Sequence, residues 1–160
     1  MFEHLPTEIQ GYCQQIWEFP HTLEHTVEKL PEQWLEACYR PGSWTIRQII
    51  HHLADAQMHA FIRMNLILTE EYPVLRPFKH DEWADLAESS QGPIAPSLEI
   101  IRGVHKRWAY ALNTLQASDF QKKAWHPDRG LLDLHDIVRI YAGHGPHHLE
   151  QIRTAIRTME

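Results

Sequence analysis

Apolar residues recur at intervals of three and four along four stretches of the chain, the spacing that lines one face of an α-helix. Ile9, Ile16, Leu23, Val27 and Leu30 mark a first helix from about Thr7 to Lys29. Pro20 lies inside it and predicts a kink or a break there, because proline removes a backbone donor. A short helical turn with Pro31 at its first position follows in LPEQWLEAC. Ile46, Ile49, Ile50, Leu53, Phe61, Ile62 and Leu66 continue the pattern from Thr45 to about Thr69. Thr45 with Gln48 three residues on is a capping box, so the second helix starts there. Ile101, Val104, Trp108, Leu112 and Leu115 place a third helix over about Ser97 to Leu115. Ile137, Ile140, Tyr141 and Ile152 carry a fourth from an Asp133 N-cap, with Asp136 in its first turn, toward the C-terminus.

Between the second and third helices, Glu70 to Pro96 contains four prolines. It reads as a long connection with one short helix at HDEWADLA. HPDRG before the last helix is a turn. No run of alternating apolar and polar residues predicts a strand. The expected fold is therefore all-α: a four-helix bundle in a single domain spanning 1–160, with a long crossover between its second and third helices.

Composition narrows the class. The chain has 160 residues, 43% of them hydrophobic, enough for one core. The N-terminus has neither the basic start nor the apolar stretch of a signal peptide, so a cytoplasmic protein with no membrane partner is expected. A formal charge of −6 argues against a nucleic-acid surface, which needs a basic stripe. Cys13 and Cys38 form no metal-type cluster and are expected to be free thiols.

Histidine is the outlier, with 13 copies. His144 and His148 are four apart, so both project from one helical face, on the stripe of Ile137, Tyr141 and Ile152. In IIHHLADA, His52 falls on the inward stripe three residues after Ile49, and His51 falls nearer the polar boundary with Arg47 and Asp55. His52 is therefore the candidate third ligand and His51 a bystander. Asp55 is a candidate to orient the site through a ligand. His59 and the indoles of Trp44, Trp83 and Trp108 are weaker candidates for the pocket wall. His147 is off the ligand spacing. Gly143, Gly145 and Pro146 beside these residues predict a helix that continues with a local distortion. Three imidazoles suit one divalent ion, Zn²⁺ or Ni²⁺ first and Mn²⁺ or Fe²⁺ next, and leave a coordination position open, the catalytic pattern. A di-iron carboxylate bundle needs Glu-x-x-His on two helices and has no match here.

GSWTIRQIIHHLADAQMHAFIRMNLILTEEYP, HKRWAYALNTL, HPDRG and YAGHGPHHLEQI together resemble, in order and spacing, the DinB superfamily. The resemblance is to its branch of YfiT-like metal-dependent hydrolases, also called bacillithiol transferases, and covers about Trp17 to Ile152. It implies a four-helix bundle, often a homodimer, with a divalent metal on three histidines; carried onto this chain these are His52, His144 and His148. It also implies attack by a low-molecular-weight thiol, bacillithiol-like, on an electrophilic small molecule. The alternatives are hydrolysis by a metal-bound water and a non-catalytic metal-binding, damage-response bundle. The chain departs from the family pattern at Gln151, where histidine is common, and at Gly143, where a bulkier residue is; neither is expected to touch the three ligands.

Overall fold

The computed structural model describes residues 1–159. Four long helices, α1 (Thr7–Val27), α2 (Ile46–Thr69), α5 (Ala95–Leu112) and α6 (Leu134–Arg157), form a four-helix bundle. Two short helices, α3 (His80–Ala84) and α4 (Ala87–Gln91), lie in the crossover between α2 and α5. Each long helix packs chiefly on two others: α1 on α5 and α6, and α2 on the same pair. Helices consecutive along the chain, α1 with α2 and α5 with α6, therefore face each other across the diagonal.

The helix starts follow local chemistry. The Thr45 hydroxyl accepts from the Gln48 amide at 3.2 Å, and the Gln48 side chain accepts from the Thr45 amide at 3.0 Å. The Gln48 side-chain amide then donates to the carbonyl of Ala84, tying α3 to the first turn of α2. Asp133 and Asp136 make the equivalent box at the start of α6. Both caps agree with the expectation from sequence. α5 begins two residues before the expected start, with Pro96 in its first turn, where a missing N–H costs nothing.

Three expectations are corrected. α1 is continuous through Pro20, which is buried, so the helix does not break there. Ile62, placed on the apolar pattern of α2, is 54% exposed. A two-stranded antiparallel hairpin, β1 (Lys123–His126) with β2 (Gly130–Asp133), precedes α6. Its strands are four residues each, too short for an alternation to register. HPDRG is its turn: the Arg129 amide donates to the His126 carbonyl, Pro127 sits second, and Gly130 takes a φ of +75°. The crossover is pinned to this hairpin by backbone hydrogen bonds from Leu75 to Trp125 and from Trp125 to Pro73.

Two apolar clusters fill the bundle. One, around Leu5, Ile9, Met64, Trp108 and Phe120, lies toward the hairpin; the other gathers Leu23, Ile46, Ile50 and Ile152. Cys13 is buried and Cys38 half-buried, both as free thiols, and burial pushes the Cys13 thiol up to about 12. No helix among the described residues is long and apolar enough to cross a membrane.

Candidate metal centre

α2 and α6 bring His52, His144 and His148 to one point. One ring nitrogen from each lies within 4.8 Å of the others. His52 and His148 are buried and His144 half-buried. The imidazole centroids are 4.6 Å apart for His144 and His148, 4.8 Å for His52 and His148, and 5.2 Å for His52 and His144. Nε2 of His52 stands 3.3 Å from Nε2 of His144. Zn–N bonds of about 2.0–2.1 Å at tetrahedral angles require nitrogens about 3.3–3.4 Å apart, so this spacing fits a single cation.

Electrostatics favours ligands over charges. Burial lowers the pKa of His52 to about 3, of His144 to about 2 and of His148 to about 4, with the neighbouring histidines adding to the effect. All three rings are thus neutral, the state that donates a lone pair to a metal. His148 donates from Nδ1 to Oε1 of Gln151 at 2.8 Å, which leaves Nε2 as its free lone pair. The Gln151 amide in turn donates to Nε2 of His147 at 3.2 Å. Nδ1 of His52 and Nδ1 of His144 have no hydrogen-bond partner among the described residues. It is the Nε2 lone pairs that converge, with no counter-charge beside them, and a cation fits as their common partner.

The other candidates divide. Trp44 covers the site, its ring tilted against His52 at 4.7 Å and stacked nearly parallel to His148 at 6.2 Å. Trp83 packs instead on Phe78 and His59, and Trp108 is fully buried in the core. His59 stacks flat on Phe78 at 4.3 Å, behind the cavity wall. His51 is buried away from the site: its Nδ1 pairs with the Ser97 hydroxyl at 2.8 Å, tying α2 to α5. Asp55 makes no hydrogen bond to the three histidines; burial, with Glu88 nearby, raises its carboxyl to about 6. Gln151, expected to stand clear of the ligands, touches one of them and does the orienting that Asp55 was expected to do. α6 runs unbroken through Pro146 between the two histidines, which is the continuation expected there.

The site opens into a cavity of about 370 Å³. Phe78 and His80 from the crossover, Arg63 from α2, Tyr141 from α6, and His126, Asp128 and Arg129 from the hairpin line the rest of it. Sequence reasoning missed His80, Arg63, His126 and Arg129. Arg63 and His80 stand alone on their elements, and His126 and Arg129 share HPDRG, which reads from sequence only as a turn.

Residues 15–152 match the model of the DinB superfamily. A protein of Oceanobacillus iheyensis named "Putative metal-dependent hydrolase" is 42% identical over 144 residues, 90% of this chain and 83% of its own. One of Bacillus cereus (strain G9842) with the same name is 38% identical over 149 residues, 93% of this chain and 85% of its own. The solved structure of YfiT from Bacillus subtilis, described as "a probable metal-dependent hydrolase with an unusual four-helix bundle topology", superposes with a TM-score of 0.92 at 34% identity. The match covers 98% of this chain and 91% of that one. By its bundle, its sequence and the extent of these matches, the chain belongs to the DinB superfamily.

Proposed function

We propose that this protein is a metal-dependent enzyme that transfers a low-molecular-weight thiol to an electrophilic small molecule, with His52, His144 and His148 holding one divalent cation, zinc or nickel. The observation that carries the reading is the convergence of three neutral imidazoles on a cavity wall, with Nε2 of His52 and Nε2 of His144 3.3 Å apart. A cation held there favours thiolate over thiol, and thiolate is the nucleophile.

The residues around it have separable roles. Gln151 fixes the tautomer and orientation of His148. Trp44 shields the histidines from solvent and gives an aromatic surface for a flat electrophile. Asp128 is the one carboxylate of the cavity lining, and it belongs to the hairpin rather than to the histidine cluster. His80, its ring 6.0 Å from that of His52, is the nearby group able to accept a proton, and the more acidic nucleophile needs it less: a thiol ionises at about 8.5, water at about 15.7. Hydrolysis is the second reading, supported by the names of the relatives.

Zinc- or nickel-loaded protein mixed with 1-chloro-2,4-dinitrobenzene, with and without a cysteine-based thiol, separates the readings. Transfer predicts product only when both protein and thiol are present. Protein-dependent product formation that ignores the thiol would overturn transfer in favour of hydrolysis. Absence of any turnover would leave a metal-binding bundle without catalysis.

A further inference from the structure

The cavity has a second polar wall that the metal chemistry does not use. Arg63 is buried, 9% exposed, yet no carboxylate among the described residues pairs with it. Its Nη1 donates to the Tyr141 hydroxyl at 2.6 Å and its Nη2 to the Arg76 carbonyl at 2.8 Å, while Nε has no partner. The other buried arginine, Arg47, shows the usual solution: it bonds Glu32 at 2.7 Å and Glu36 at 2.8 Å. An unpaired buried guanidinium is costly, and it persists where something else supplies the negative charge.

Four further facts aim this charge at a ligand. Arg129, in the hairpin turn, lines the same cavity and makes no ion pair among the described residues. His126, buried beside it, accepts at Nδ1 from the Asp128 amide at 3.2 Å, so its Nε2 carries the proton and is a third donor. Asp128 itself lines the cavity but forms no ion pair with either arginine. The wall is also close to the metal centre, since Tyr141 bonds Arg63 through its hydroxyl and its ring lies 5.7 Å from that of His144.

We infer that Arg63, Arg129 and His126 form an anion subsite that holds a carboxylate of the bound small molecule and thereby presents its reacting end to the three histidines. Arginine suits this task because its planar fork matches a carboxylate in two parallel hydrogen bonds. The inference deepens the proposed function by naming the substrate class: one of the two reactants, the thiol or its acceptor, is a carboxylic acid.

Calorimetric titration with succinate and with succinamide, its neutral counterpart, tests the subsite directly. It is run on zinc-loaded protein and again after chelation, when no cation can hold the acid. Succinate is expected to bind in both forms, and succinamide at least about tenfold more weakly, the worth of a charge-assisted hydrogen bond. Arg129→Gln, a change at an exposed turn, should weaken succinate about tenfold while zinc uptake and melting stay as in wild type. Arg63→Gln should weaken it at least as much, and Arg63→Lys, which keeps the charge without the fork, should fall between. Equal affinity for acid and amide, no binding of succinate after chelation, or indifference to Arg129→Gln would overturn the subsite. Succinate binding without thiol-dependent turnover would instead retain the subsite and remove the transferase reading. Competition by N-acetylcysteine or by 4-chloro-3-nitrobenzoate then tells which reactant carries the acid.

Discussion

Gln151 accepts a hydrogen bond from Nδ1 of His148 at 2.8 Å and gives one to His147, so a single amide sets which nitrogen of His148 faces the cavity. Replacing it by leucine keeps the bulk and removes the acceptor. Q151L is expected to lower zinc affinity about 10–100-fold, the usual cost of losing the partner that orients a ligand. Q151H, which restores a ring that can accept, should recover part of it; competition against a fluorescent chelator measures both. At this scale the sequence was informative where periodicity acts. The four-residue spacing exposed His144 and His148, and the apolar stripe of α2 separated His52 from His51. Gln151 was not legible, because a glutamine three residues after a histidine is common on any polar helix face. Asp55 was misjudged because one helical turn sets proximity along the axis but not the direction of the side chain, which here comes under the field of Glu88.

Gly145 shows why α6 can carry a glycine beside Pro146. A Cβ at this position would meet the Phe19 ring of α1 at 2.7 Å, so the glycine permits the close approach of the two helices. Gly143, two residues earlier, has nothing within 4 Å of an added Cβ. Gly145→Ala is expected to destabilise by about 1–3 kcal/mol through overpacking, and Gly143→Ala to stabilise by about 0.5–1 kcal/mol through helix propensity. Urea denaturation of the two variants reads both signs. The long helices and their capped starts were visible because apolar period and cap chemistry are local. The hairpin was not: KAWH and GLLD owe their pairing to the turn at Gly130 and to contact with the crossover, neither of which a four-residue window holds.

Over the whole molecule, the bundle places α2 next to α6 although 64 residues separate the end of one from the start of the other. That adjacency creates the site, and one chain's periodicity does not encode which helices are neighbours; joining His52 to His144 and His148 took it for granted from their inward stripes, and the resemblance to a known family agreed. The same packing buries His105, whose Nδ1 donates to the Ile16 carbonyl at 2.6 Å and whose pKa burial lowers to about 4. Unfolded, this ring titrates near its ordinary value of about 6.5. Between those values the unfolded chain binds more protons than the folded one, so stability falls as pH drops from about 6.5 toward 4. His105→Gln should remove up to about 1.4 kcal/mol per pH unit of that slope, measured by denaturation across the window.

The central claim is that His52, His144 and His148 hold one ion together, and zinc titration of chelated protein followed by calorimetry tests it most directly. Wild type is predicted to take up one ion per chain, and His52→Ala, His144→Ala and His148→Ala each to lose that uptake while remaining helical by circular dichroism. A wild type that binds no stoichiometric ion, or folded variants that bind as wild type does, would contradict it.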